Sequence, residues 1–335
     1  MSLNLTIIFS ILNFFLFFNY KKIAKIIKVY DKPDLDRKFH KGNVPILGGT
    51  FLFINVTFFI ILYFYNSNYS EFFFKSDNVI YFFITFFGFY LLGILDDIFK
   101  VSANCKLIIS ICLLFFIFYF DSTSAINSLK FSFLDNEIKL GKFSLYISVL
   151  CYLLFINAFN MIDGINGQAA FYALFVFLIL FFKGILTSFS VLIVFFLIFY
   201  LYLNMKGKIF FGDSGSLILA FLLSYILVKD YNLNQTLYAD EIFLIMCFPG
   251  YDLLRLFILR IAKKKHPFSA DNFHIHHILM SKLNPFKTLI ATQILFFLPY
   301  ISYLVFDNFF YSLFFSIILY ILIFFSLKII NPNNV

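Results

Sequence analysis

Apolar segments of near membrane-crossing length recur along the whole chain and restrict the folds open to it. A hydrocarbon core about 30 Å thick needs roughly 20 helical residues, and fewer where helix ends meet polar protein. The 335 residues are 62% hydrophobic and 13% charged, which is too little charge to cover a water-soluble domain of this length. We count eleven spans, near 3–19, 45–65, 79–95, 105–120, 143–158, 168–182, 188–203, 214–228, 242–259, 288–306 and 309–327. Because no linker divides them, they predict one domain over 1–335, an all-α polytopic transmembrane helical bundle in the lipid bilayer.

Basic residues are distributed unequally between the two sets of loops that join these spans. One set holds 20 of the 26 Lys and Arg residues, in segments 20–44, 96–106, 157–167, 204–213, 252–287 and 328–335. Because loops rich in Lys and Arg stay in the cytoplasm, we predict that this set is cytoplasmic. All five histidines lie in the same set. We therefore expect the N-terminus outside and the C-terminus in the cytoplasm.

Three lysines, Lys21, Lys25 and Lys28, form one helical stripe after the first span. Such a stripe is typical of a helix end anchored at anionic lipid headgroups. A role in attracting a phosphorylated lipid is the alternative.

Two adjacent acids, Asp96 and Asp97, close the third span on the predicted cytoplasmic side, and Lys106 follows them. Carboxylates at the border of an apolar span are costly unless a cation compensates them. They could share Mg²⁺, or one could bind metal while the other accepts a proton or orients a nucleophile. An interfacial charge pair that only marks the helix end is the alternative.

Polar residues recur at every third position where the fifth span ends, at Asn157, Asn160, Asp163 and Asn166. We expect Gly164 and Gly167 to break the helix, so that Asp163 and Asn166 turn into a cleft. A simple turn is the alternative for the end of this motif. It does not account for two asparagines inside a span, because each amide needs hydrogen-bond partners there.

The segment over 211–216, FGDSGS, opens the eighth span. Asp213 or Ser214 is a natural N-cap, and capping alone could account for the motif. A carboxylate and exposed amides at a helix start also suit a metal-bridged phosphate.

Three histidines lie within four residues, His274, His276 and His277, after Asp252, Arg260 and a run of three lysines. Histidines beside a basic run indicate anion or metal binding. The spacing gives no closed zinc shell, because no cysteine lies nearby. We favour hydrogen bonds to phosphate oxygens, with a solvated polar loop as the alternative. With the acids on the same face, this predicts that a phosphate-rich soluble substrate meets a membrane substrate.

Five motifs, taken in order, resemble those of the polyprenyl-phosphate N-acetylhexosamine-1-phosphate transferases of glycosyltransferase family 4. They are RKFHKGNVPILGG (37–49), LDDIFKVSANCK (95–106), NAFNMIDGING (157–167), FGDSGS (211–216) and PFSADNFHIHHIL (267–279). The last is most similar to the branch that uses UDP-GlcNAc and undecaprenyl phosphate. The family includes enzymes that begin O-antigen, teichoic acid and peptidoglycan synthesis. The resemblance therefore implies a bacterial inner (plasma) membrane protein with a cytoplasmic active site.

The resemblance also implies a reaction and its partners. N-acetylhexosamine-1-phosphate would pass from a UDP-N-acetylhexosamine to polyprenyl (undecaprenyl) phosphate, with release of UMP, as the initiating step of a cell-envelope glycan such as lipopolysaccharide O-antigen. Mg²⁺, or Mn²⁺ in its place, would be the cofactor. We expect no nucleic-acid partner, and a homodimer is an alternative to a monomer.

Motif positions carry roles over from the family. Catalytic roles fall on Asp96, Asp97, Asp163, Asp213 and Lys106. Metal ligation falls on Asp97, Asp213 and Asn157, and Asp96 would orient or deprotonate the lipid phosphate. Substrate contacts fall on Asn157, Asn160, Asn166, His274, His276, His277, Lys38, His40 and Arg260.

Two departures from the family motifs bear on the choice of sugar. Asn166 and Gln168 replace the second Asp and the Leu of the usual Asp-Gly-x-Asp-Gly-Leu, so position 166 can contact a substrate only by hydrogen bonds. The segment 270–272, Ala-Asp-Asn, replaces Pro-Asp-Arg and removes one guanidinium from the expected phosphate site.

A polytopic transporter of an anionic or lipid-linked substrate is the main alternative from another class. A transporter is expected to have ionisable residues near mid-bilayer and two repeated halves with interrupted helices. The acids here lie at span ends, and the sequence shows no internal repeat. These features favour the transferase.

Overall fold

The computed structural model describes residues 3–32, 42–65, 76–264 and 274–330. In this part of the chain the regular structure is almost entirely helical. The α-helices are α1 (Leu3–Phe18), α2 (Tyr20–Ile27), α3 (Gly48–Tyr65), α4 (Ser76–Phe99), α5 (Ala103–Phe120), α6 (Ser144–Ile162), α7 (Gln168–Phe182), α8 (Thr187–Asn204), α9 (Gly212–Leu233), α10 (Ala239–Ala262), α11 (Ile275–Met280), α12 (Pro285–Phe306) and α13 (Phe309–Ile330). Two short antiparallel strand pairs accompany them: β1 (Tyr30–Asp31) with β2 (Val44–Pro45), and β3 (Ser128–Leu129) with β4 (Ile138–Lys139). The predicted all-α class is confirmed.

The apolar segments predicted as spans coincide with helices α1, α3 to α10, α12 and α13. In the described residues, seven helices have the length and composition of a membrane span. Helices α1 and α2 pass the same test only as a pair bent by 66°, and α3, α7 and α13 have shorter apolar stretches. The helices are those of a membrane protein, whereas the count of eleven spans and the sides of the termini stay predictions.

Helix α9 lies at the centre of the bundle, because 83% of its most apolar window is buried inside the protein. It packs against α3, α4 and α6. Glycines allow two of these helices to approach its first turn. A Cβ atom added at Gly93 of α4 would lie 2.3 Å from Ser214 Cα, and one at Gly49 of α3 would lie 2.5 Å from the Gly215 nitrogen. The start of α9 is therefore fixed between α3 and α4.

Hydrogen bonds between polar side chains also join helices inside the bundle. Asn13 of α1 and Asn55 of α3 exchange hydrogen bonds of 2.9 and 3.0 Å between their amides. At the other end of α9, Lys229 donates to the Asp121 carboxylate at 2.7 Å, and Tyr225 donates to the same oxygen at 3.0 Å. Since hydrocarbon offers polar groups no partner, these contacts hold neighbouring helices in register.

Backbone contacts also tie the segment before α3 to the segment before α9. Ile46 forms a parallel bridge with Phe210, next to the β1–β2 pair. The N–H groups of Gly48 and Gly49 donate to the carbonyls of Phe210 and Phe211 at 2.9 and 3.3 Å. The two strands that flank residues 33–41 therefore lie beside the start of α9.

Candidate active site

Three helix ends meet at one end of the bundle and bring the predicted acids together. Helix α4 runs antiparallel to α9, because Phe82 packs on Tyr225 and Phe89 packs on Phe221. The last turn of α4, with its two acids, therefore lies beside the first turn of α9. Helix α6 also packs against α9 and ends at Ile162, immediately before Asp163. We call Asp96, Asp97, Asp163 and Asp213 the carboxylate cluster.

Lys106, in the first turn of α5, supplies a positive charge to this cluster. Its Nζ lies 2.9 Å from Asp96 Oδ2 and 3.0 Å from Asp213 Oδ2. All three side chains are partly exposed, with Lys106 at 31%. The ammonium group thus joins α4 and α9 through two acids that are far apart in sequence, at a place that remains open to solvent. The sequence prediction that Lys106 belongs with the acids is consistent with this geometry.

Asp97 binds the backbone at the start of α9. Its Oδ1 accepts the Asp213 N–H at 2.8 Å, and its Oδ2 accepts the Ser214 N–H at 3.1 Å. Both are first-turn N–H groups that a helix leaves unpaired, and a negative charge there also favours the helix dipole. The expectation that Asp213 or Ser214 is the N-cap is wrong, because Phe211 occupies that position without a side-chain cap. The cap comes instead from α4, 116 residues earlier.

Gly212 permits this arrangement by its conformation and its size. Its φ is +68°, in the left-handed region that side chains disfavour. A Cβ atom there would also lie 2.6 Å from Asp97 Oδ2. Gly212, the first glycine of the FGDSGS motif, is therefore required both by the turn and by the close approach of the Asp97 carboxylate.

Asp163 follows the end of α6 and faces the other acids. Burial, followed by the negative charges of Asp213 and Asp97, raises the pKa of Asp163 to about 7. Asn160, one turn earlier, lies near the Asp213 carboxylate. The structure therefore brings Asp163 and Asn160 of this motif together with Asp97 and Asp213.

Asn157 lies five residues before the end of α6, and its amide N–H donates to the Leu153 carbonyl of the same helix at 2.7 Å. No hydrogen bond between Asn157 and the cluster occurs among the described residues. Its predicted role as a metal ligand stays a prediction.

The donor set of the cluster fits a divalent cation that is shared with a substrate. Among the described residues, no group of three or more His, Cys, Asp or Glu side chains is arranged to hold a metal by itself. Mg²⁺, however, usually takes one or two protein carboxylates and completes its shell with water and substrate phosphates. Asp97 and Asp213 lie together, and each carboxylate oxygen can accept more than the one bond it makes to the protein. Four carboxylates against Lys106 also leave excess negative charge.

The histidine motif is tied to α10 and α13 by Asp252. Asp252 Oδ2 lies 3.0 Å from His274 Nδ1, and its Oδ1 accepts hydrogen bonds from Arg255 at 2.7 Å and from the Tyr320 hydroxyl at 3.3 Å. This contact occupies one ring nitrogen of His274 and orients the other. Reasoning from the sequence gave Asp252 no role. The signal was an acid inside an apolar helix, which requires partners.

His276 connects the histidine motif to the carboxylate cluster. Its ring is 1% exposed, and a Cβ atom added at Gly164 would lie 2.1 Å from its Nε2. Burial and the nearby His277 and His274 lower the pKa of His276 well below 6.5. A neutral imidazole can contact phosphate only as a hydrogen-bond donor, and that contact stays a prediction.

The remaining predicted residues are distributed around the site. Asn166 is exposed, and its Nδ2 would lie 3.8 Å from a Cβ atom added at Gly207 of the loop before α9. Arg260 is buried near the end of α10. Lys38, His40 and residues 265–273 lie outside the described residues.

An apolar groove of about 550 Å³ opens between α6, α9, α10 and α13. Its lining includes Leu154, Phe155 and Ala158 of α6, Met246, Gly250 and Leu254 of α10, and Leu313 of α13. Ala158 precedes Asp163 by five residues, which is about 7.5 Å along a helix. The groove opens mainly at the opposite end of the bundle, at Leu129, Phe131 and Tyr231, and Ala158 is the part of its α6 lining that comes nearest to Asp163.

Comparison with known proteins agrees with the motifs. The model of the family described as glycosyl transferase family 4 matches residues 79–230. The undecaprenyl-phosphate alpha-N-acetylglucosaminyl 1-phosphate transferase of Escherichia coli K12 is 28% identical over 292 residues, covering 83% of this chain and 76% of that protein. The protein of the same name from Thermotoga maritima is 29% identical over 282 residues, covering 84% and 83%. The family resemblance inferred from the five motifs is confirmed.

Proposed function

We propose that this relative of glycosyl transferase family 4 transfers N-acetylhexosamine-1-phosphate from a UDP-sugar to polyprenyl (undecaprenyl) phosphate and releases UMP. The observation that carries the proposal is the carboxylate cluster with Lys106, at one end of a bundle of apolar helices, with an apolar groove between the same helices that extends from the opposite end toward it. A phosphorylated lipid needs both features, because its chain must stay in an apolar environment while its phosphate reacts at the border. The names of the relatives support the same substrates.

The chemistry required of the site follows from the charges of the substrates. An oxygen of the lipid phosphate attacks the sugar-proximal phosphorus of the diphosphate, and the bond to the UMP phosphate breaks. The bond between the sugar and its phosphate is retained. Both reactants are anions, so the site must offset their repulsion and align the attack.

We assign parts of this task to particular residues. Asp97 and Asp213, with Asn157 as a candidate third ligand, would hold Mg²⁺, or Mn²⁺ in its place. The cation would neutralise the charge of the diphosphate. Lys106 keeps Asp96 and Asp213 in place and adds positive charge. Asp96 would orient the attacking phosphate, which needs no strong base because it is already ionised.

The proposal includes a location. The excess of basic residues in the loops at this end supports a site on the cytoplasmic side of a bacterial inner membrane, where UDP-sugars are available. The product, a polyprenyl-diphosphate-N-acetylhexosamine, would begin a cell-envelope glycan. GlcNAc is the sugar in the names of the relatives. Because Asn166 differs from the family motif, the proposal does not specify whether the sugar is GlcNAc or its epimer GalNAc.

Release of UMP tests the proposal directly. Purified protein is given polyprenyl phosphate, Mg²⁺ and in turn UDP-GlcNAc, UDP-GalNAc and UDP-linked deoxy-N-acetylhexosamines, and UMP is quantified by chromatography. We expect UMP with at least one sugar, and none without the lipid. Asp213→Ala, shown to be folded by its thermal melt, serves as the background. UMP no higher than that background across the whole panel would show that the proposal is wrong.

A further inference from the structure

Asn204, the last residue of α8, lies between two loops of the candidate site. One is the α6–α7 loop, residues 163–167, and the other is the α8–α9 loop, residues 205–211. The Asn204 side chain is buried, and its residue is 4% exposed. Its Oδ1 accepts the Gly167 N–H at 2.6 Å, and its Nδ2 donates to the Ile209 carbonyl at 2.8 Å. A single amide therefore bonds to the backbone of both loops.

These two loops border two acids of the carboxylate cluster, Asp163 and Asp213. The α6–α7 loop begins with Asp163 and contains Asn166. The α8–α9 loop leads directly into Gly212 and Asp213. The relative position of the two loops thus sets the position of Asp163 against Asp213, and a displacement of about 1 Å between reacting groups can cost about 100-fold in rate.

The hydrogen bonds of Asn204 differ from those of three asparagines inside helices, and from those of Asn232, whose amide nitrogen donates to a single loop segment. Asn13, Asn55 and Asn157 each donate to the carbonyl four residues earlier in their own helix. Asn204 instead directs both ends of its amide to loop backbone. An asparagine that needed only a hydrogen-bond partner inside the bundle could donate to a carbonyl of its own helix. The arrangement at Asn204 therefore indicates a role in holding the loops.

A second amide holds the α6–α7 loop from the other side. Gln293 of α12 donates through Nε2 to the Gln168 carbonyl at 2.9 Å. Gly167 has a φ of +86°, and a Cβ atom added there would lie 3.3 Å from Leu289 Cδ2. The end of this loop is therefore fixed by α8 and α12 together, and of these two amides Asn204 is the one that also bonds to the loop that leads to Asp213.

We propose that Asn204 is a positioning residue that sets the geometry of the carboxylate cluster by joining these two loops. It touches no substrate in this assignment and acts through Asp163 and Asp213. The kinetic part of the proposal rests on the proposed transferase function, whereas the structural part does not.

The test compares Asn204→Ala with Asn55→Ala, a matched control. Both substitutions remove a buried amide, which makes two hydrogen bonds in Asn204 and three in Asn55, but Asn55 pairs with Asn13, away from the site. Hydrogen–deuterium exchange is measured over 163–168 and 205–211, and UMP release gives kcat and KM. Asn204→Ser, whose hydroxyl can make one of the two bonds, replaces Asn204→Ala if that variant does not fold.

We expect Asn204→Ala to exchange faster in both loops while Asn55→Ala changes neither. We expect kcat to fall about 100-fold, with KM for the UDP-sugar changed less than about threefold, since the loss is in alignment rather than in binding. Unchanged exchange in either loop, or a kcat equal to that of Asn55→Ala, would overturn the proposal. If wild-type protein releases no UMP, the proposed function fails, and the exchange measurement alone decides whether Asn204 joins the loops.

Discussion

Asp96 and Asp97 are neighbours in sequence but have different partners in the structure. Asp96 faces the Lys106 ammonium group at 2.9 Å. Asp97 accepts two backbone N–H groups at the start of α9. Removing the charge of either side chain should therefore affect activity and stability in different proportions.

Asp97→Asn should lower activity by about 100- to 1,000-fold, because it removes a carboxylate that we propose holds the Mg²⁺. It should also lower stability by about 1–2 kcal/mol, because one α9 N–H group then faces an amide N–H instead of an oxygen. UMP release and thermal melting in detergent measure the two effects. Asp96→Asn is the matched control and should lose activity with a smaller change in melting temperature. Turnover equal to that of the wild type in Asp97→Asn would show that Asp97 does not hold the metal.

The raised pKa of Asp163 predicts how stability depends on pH. Its pKa is about 7 in the folded protein, against about 3.9 for an unperturbed Asp, so the folded state holds the proton more tightly. This group therefore opposes folding progressively as the pH rises from about 4 to 7, and fully above that. We expect the melting temperature in EDTA to fall over this range and Asp163→Asn to reduce the fall.

Mg²⁺ should change this pH dependence if it binds the cluster. A divalent cation favours the ionised carboxylates, so its stabilising effect should be larger at pH 8 than at pH 6. The same thermal melts with and without Mg²⁺ measure it. A melting temperature in EDTA that rises from pH 5 to 8 equally in wild type and Asp163→Asn would contradict the assignment of Asp163.

At the scale of the elements, the contact between α4 and α9 positions the site. Gly93 of α4 lies one turn before Asp97, and a Cβ atom there would meet the backbone of Ser214 at 2.3 Å. Gly88 lies five residues earlier on the same helix. A Cβ atom at Gly88 would meet only the end of the Leu113 side chain, at 2.5 Å, and a side chain can move where a backbone cannot.

Gly93→Ala should therefore separate α4 from α9, with a loss of stability of about 1–3 kcal/mol or more and a loss of activity. Gly88→Ala is the matched control, because it makes the same change on the same helix. We expect its melting temperature to fall less and its UMP release to stay close to wild type. Equal effects of the two substitutions on activity would mean that the α4–α9 contact at Gly93 does not position the cluster.

At the scale of the whole molecule, the basic loops predict which end of the bundle faces the cytoplasm. Lys208 lies in the α8–α9 loop at the site end, and Lys139 lies in β4 at the opposite end. Both side chains are exposed. Single substitutions Lys208→Cys and Lys139→Cys, in a background without the four native cysteines, allow the two ends to be labelled separately.

A membrane-impermeant maleimide should label Lys139→Cys in intact cells and Lys208→Cys only after the membrane is opened. The physical reason is the excess of Lys and Arg on the site end, which keeps those loops on the cytoplasmic side. Labelling of Lys208→Cys in intact cells would reverse the predicted orientation and place the site away from cytoplasmic UDP-sugars.

The positions of the long helices could be predicted from the amino-acid sequence. Each predicted apolar segment is a helix, because in hydrocarbon the backbone must satisfy its own hydrogen bonds, and length and hydropathy suffice to show where. The acids and asparagines were also found, since polar groups at span ends are costly without a role. The breaks at Gly164 and Gly167 followed from the conformational freedom of glycine.

Which of these residues contact one another depends on how the helices pack. The lysine stripe indicated that helix continues after the first span, but the 66° bend between α1 and α2 was not predicted. The short helix α11 lies outside the predicted spans, because six residues are too few for periodicity to define. Asp97 caps α9, Asp252 holds His274, and Asn204 joins two loops, across separations of 116, 22 and 37 residues. No local pattern encodes such pairs, because they depend on how the helices pack rather than on what each helix contains.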